Sequence, residues 1–110
     1  MTAQARIEWV ELGAGKLQDG LGHNIIKAFH GALTIGVDTT ATAVGDRPVA
    51  PVTGFALVRH AGGSDNPIVV NAWGDDPVAT AANGKAVYPG EEIPIHVAKG
   101  QKLSLIEIAP

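Results

Sequence analysis

The chain has 110 residues, a length that suits one domain burying roughly two-thirds of its unfolded surface. Zero cysteines exclude disulfides and thiolate metal sites, and eight Lys+Arg against eleven Asp+Glu, net −3, leave no electrostatic footprint for nucleic acid. No apolar run approaches the roughly 20 residues of a membrane span, and residues 1–6 lack the apolar core of a signal peptide, so a soluble protein made in the cytoplasm is expected.

Fourteen glycines and seven prolines, well above average usage, favour many short strands and tight turns. Apolar residues make up 45% of the chain but aromatics only 5%, so the core must be built of Val, Ile, Leu and Ala. Taken in order, residues 6–12 alternate so that Ile7 and Trp9 share one face, which reads as an edge strand, with a short helix as the alternative. Residues 13–22 are too broken by glycine for a helix and read as a surface loop. Residues 23–37 read as one long strand or two, with Leu33, Ile35 and Val37 alternating cleanly. Residues 38–46 are small, polar and β-branched and fit a flexible arm or an extended loop. Pro48 and Pro51 confine the next stretch to a loop or a sheet edge.

Four apolar runs then follow, over residues 55–58, 68–73, 93–97 and 103–108, separated by Gly, Pro, Asn and Asp. Their length and Val/Ile content read as β-strands, expected to share the sheet at the core. Pro94 removes a backbone donor, so its strand belongs at an edge or beside a bulge. The apolar phase changes between Leu105 and Ile106, which calls for burial on both sides or a bulge. The fold class expected is therefore all-β. It is a single β-sandwich or jelly-roll-like domain over residues 1–110, with strands, loops and an extended region in 1–50 and the core strands in 51–110.

Chemistry finds little footing. Gly13-Ala14-Gly15-Lys16 evokes a phosphate loop, but Val10 stands where that pattern needs its first glycine and Leu17 where it needs Ser or Thr. His23, His30, His60 and His96 show no zinc spacing, and Asp65, Asn66, Asp75 and Asp76 lack the spacing of a calcium loop. The two serines, Ser64 and Ser104, sit in no nucleophile elbow. No catalytic, cofactor or metal residue is assigned, and no cofactor is expected. Trp9 and Trp73 are candidate interface anchors, since tryptophan is enriched at interfaces, and a core position is the alternative for Trp73. Pro94 joins them because an edge strand presents unpaired backbone groups to a neighbour.

Three segments carry a resemblance. Val69-Val70-Asn71-Ala72-Trp73 leads into Gly74-Asp75-Asp76-Pro77-Val78-Ala79-Thr80. A Pro89-Gly90 turn opens the strand Ile93-Pro94-Ile95-His96-Val97. A closing strand, Leu103-Ser104-Leu105-Ile106, follows Lys99-Gly100. Over the C-terminal half, from Phe55 on, this order resembles small structural proteins of tailed-phage virions. The resemblance implies a non-enzymatic virion protein, a head decoration (cement) protein on the capsid surface that stabilises the lattice of the major capsid protein. A dimer or trimer is the expected oligomer, with no nucleic-acid or membrane partner. A head–tail or tail component is the runner-up, and a carbohydrate-binding β-sandwich module is the rival from another class.

Overall fold

The computed structural model describes residues 2–14 and 24–110, and it is all-β. Seven strands run in the order β1 Ala3–Ala14, β2 Asn24–Val37, β3 Gly54–His60, β4 Ile68–Asn71, β5 Lys85–Val87, β6 Glu92–Val97 and β7 Ser104–Glu107. A short 3₁₀ turn covers Val44–Asp46. The strands form two antiparallel sheets, a four-stranded one ordered β2-β1-β3-β6 and a three-stranded one ordered β5-β4-β7. Their inner faces enclose one apolar cluster in which Ile7, Trp9 and Val58 from the first sheet meet Ile68, Val70 and Leu105 from the second. Each fully buried Val, Leu or Ile of such a core contributes about 1.5–3 kcal/mol relative to exposure.

The strand order corrects two expectations. β1 is not an edge strand: it pairs with β2 on one side and β3 on the other. The four C-terminal runs do not share one sheet either. β3 and β6 belong to the larger sheet, whereas β4 and β7 pair in the smaller. Pro94 does lie on an edge strand, β6, as its missing N–H requires.

Residues 24–37 form a single strand. Between Glu8↔Ala32 and Val10↔Phe29 the register gains one residue on β2, so His30 and Gly31 together oppose Trp9. Gly31 takes the positive φ of 101° that this bulge uses. The expected loop over residues 13–22 begins inside β1, which runs to Ala14; the rest of it, with Lys16 of the phosphate-loop reading and His23, lies outside the described residues.

Residues 38–46 are not a loose arm. Thr42 brackets Leu105, its N–H and hydroxyl both lying 3.0 Å from the Leu105 carbonyl, and the Glu107 N–H donates to the Asp38 carbonyl at 2.7 Å. This segment covers the outer edge of β7. The apolar phase change in β7 reflects burial on both sides, because its register with β4 is unbroken from Ile68↔Glu107 to Asn71↔Ser104. The second covering is residues 77–83, held by Asn71 Nδ2 donating to the Val78 carbonyl at 3.1 Å and the Ala79 N–H donating to Ser104 Oγ at 2.8 Å.

Candidate interaction surface

The two tryptophans have opposite fates. Trp9 is only 5% exposed and packs in the core, so it does not serve as a surface anchor. Its central strand explains this: the inward face of β1 has a sheet over it. Trp73 is 66% exposed just past the end of β4, which removes the core alternative for it. Its N–H donates to Asn71 Oδ1 at 2.9 Å, which fixes the backbone as it leaves the sheet. The indole borders a groove of about 380 Å³ shared with Lys85, Ile95, His96 and Gln101. Pro94 is exposed on β6 and does not line that groove. Trp73 and Pro94 are thus both exposed, whereas Trp9 is not.

The outer face of the four-stranded sheet adds residues that the linear pattern does not single out. Pairing sets side chains in rows across the sheet. One row reads Phe29, Val10, Phe55 and His96 across β2, β1, β3 and β6. The next reads Ala32, Glu8, Leu57 and Pro94, and the third Thr34, Arg6, Arg59 and Glu92. Phe29 is 60% exposed, while Val10 between Phe29 and Phe55 is 2% exposed and stands apart from the inner core cluster. Phe55 and His96 meet edge to face, ring centroids 5.5 Å apart at 77°. One half of this face is therefore apolar and aromatic, and the other is charged.

A polar cluster at the opposite margin ties the sheets together. Glu107 of β7 is buried and accepts three hydrogen bonds, from the Ala3 N–H at 3.1 Å, Ser64 Oγ at 2.8 Å and Asn66 Nδ2 at 2.8 Å. These donors hold its carboxyl below the ordinary carboxylate range, Asn66 contributing most, then Ser64, then Ala3. His60 is buried beside the same loop. Its Nδ1 accepts from the Gly62 N–H at 3.1 Å, so Nε2 carries the proton donated to the Asn66 carbonyl at 2.8 Å. Gly63 follows with φ 81°, and a Cβ there would strike the Thr2 carbonyl. Ser64, His60 and Glu107 thus come together, but Ser64 donates to the carboxylate and makes no bond to the histidine. An activated nucleophile needs that bond, and the arrangement instead closes the 61–67 loop.

Arg47 is 8% exposed, with Nε and Nη1 buried and unpaired by hydrogen bonds. Its Nη1 and Lys102 Nζ each lie 3.7 Å from Asp76 Oδ1. Among the described residues, no three His, Asp or Glu side chains stand together as a metal site would require, and no helix is long and apolar enough to cross a membrane. Comparison with protein-family models, curated proteins and solved structures finds no match to this chain.

Proposed function

We propose that this protein is a non-enzymatic structural component of a tailed-phage virion, a decoration (cement) protein that binds the capsid surface and stabilises the lattice of the major capsid protein. The observation that carries the reading is the apolar half of the larger sheet's outer face, where among the described residues Phe29 is exposed and Phe55 and Leu57 are half-buried, together with the exposed Trp73. Contiguous exposed apolar surface of this kind marks protein–protein contact sites. The C-terminal resemblance to virion proteins supports the same reading, and so does the mild acidity, which gives little attraction to packaged DNA. Its mechanism is adhesive. The protein binds the assembled shell better than free subunits and so shifts the shell's opening to higher temperature. Association with further copies of itself multiplies weak contacts through avidity.

The test compares particles made with and without the protein. Particles lacking it should lose DNA at lower temperature and yield sooner to chelator. Equal robustness removes the cement reading, and labelled protein on the tail instead of the head favours a head–tail or tail component. The groove beside Trp73, with Lys85, His96 and Gln101, favours a saccharide-binding module as the second reading, because an exposed indole stacks on a sugar ring. Saccharides that quench Trp73 fluorescence at millimolar concentration would support it.

A further inference from the structure

We propose that the outer face of the four-stranded sheet docks on a partner protein through an extended segment carrying an apolar side chain four residues from a carboxylate, with the carboxylate seated over Arg6 and Arg59. The inference rests on the adhesive reading above and gives it a surface and a chemistry. Arg6 and Arg59 are direct register partners on β1 and β3, both exposed and facing outward. Like charges placed opposite one another are destabilising in a sheet. Among the described residues neither arginine takes part in an ion pair. The acidic groups that share the face are Glu92, opposite Arg59, and Glu8, two residues along from Arg6, and neither reaches an arginine closely enough to pair. Two guanidinium forks side by side offer a carboxylate bidentate hydrogen bonds that a lone lysine does not.

The aromatic row lies further along the same strands. Glu8 and Leu57 separate the arginine pair from Val10 and Phe55, so the charged and aromatic contacts lie about 13 Å apart, four residues of strand. A partner segment in extended conformation spans that distance with residues at i and i+4, an acidic side chain meeting the arginines and an apolar one meeting Phe29 and the exposed part of Phe55.

A second copy of this chain is the wrong occupant. A two-fold rotation about an axis along the strands sets Arg6 against Arg59 of the second copy, and one about an axis across them, through the Phe29 and Phe55 row, carries both arginines away from the second copy's apolar half. Neither arrangement brings a carboxylate to the arginine pair.

The test uses particles prepared without this protein, incubated with wild-type protein, R6E/R59E, R6K/R59K and F29A. All these positions are exposed, and thermal unfolding of each variant within a few degrees of wild type establishes that it folds. R6E/R59E should bind about tenfold more weakly or worse, and the lysine pair should retain only part of the affinity. Wild-type binding should weaken with salt and R6E/R59E binding should not, whereas F29A should weaken binding at every salt concentration. R6E/R59E binding as wild type does, while wild type decorates particles normally, overturns this face and leaves the cement reading standing. Wild type that attaches to no particle removes the cement reading and this inference with it. Self-association of wild type that R6E/R59E abolishes makes the second copy the occupant and overturns the proposal.

Discussion

Glu107 stands where β7 meets β1, and its carboxyl titrates below the ordinary carboxylate range because Asn66, Ser64 and the Ala3 N–H all donate to it. The folded state therefore prefers the ionised form more than the unfolded chain does. That preference adds stability at any pH above the unfolded pKa, and the contribution is lost as pH falls through the lowered folded value. E107Q should unfold at a lower temperature than wild type at neutral pH, and the gap should narrow toward about pH 3. Thermal unfolding across that range checks it, and a gap that stays constant removes the charge from the explanation. The tryptophans allow a paired prediction. W9A opens a cavity in the core and should cost about 3–5 kcal/mol in denaturant unfolding. W73A should cost less than about 0.5 kcal/mol, since its side chain stands in solvent. Equal costs would contradict the opposite placements of the two indoles.

At the scale of elements, the sheet edges are treated unequally. β7 is covered by residues 38–42, β5 is three residues long, and β6 carries Pro94. Each of these blunts an edge. β2 is 14 residues long, and its only interruptions are register shifts such as the one at Gly31. G31V should cost about 1–3 kcal/mol, because a β-branched residue strains at φ 101° although open space surrounds the position. A denaturant midpoint unchanged by G31V would mean that the bulge relaxes at no cost. Much of this level was legible in the sequence. Period-two alternation at Leu33, Ile35 and Val37 marked β2, Val/Ile runs marked β3, β4, β6 and β7, and Pro94 marked an edge. The neighbours of β1 were not legible, because alternation at Ile7 and Trp9 reports which face is buried and says nothing about which strands lie alongside. β5 was missed because Lys85-Ala86-Val87 is too short to show a period. The aromatic row was invisible for a similar reason: Val10, Phe29, Phe55 and His96 come from four strands and meet only through register.

At the scale of the molecule, Glu107 bonds the Ala3 backbone, so the two ends of the described chain are closed on each other across 104 residues. β1, β2 and β3 are neighbours made early, and they can pair as soon as His60 is available. The smaller sheet cannot: its central strand β4 waits for β7. During synthesis, then, a three-stranded sheet exists with Ile7, Trp9 and Val58 facing nothing. Chains halted before Ser104 should bind a hydrophobic dye strongly, and chains completed to Pro110 should release it; weak dye binding by the halted chains would mean that β1 and β3 do not pair until the end. β7, the last of the described strands, thus acts as the stopper of this fold, and the interval before it arrives is when these sheets most need a chaperone's shelter.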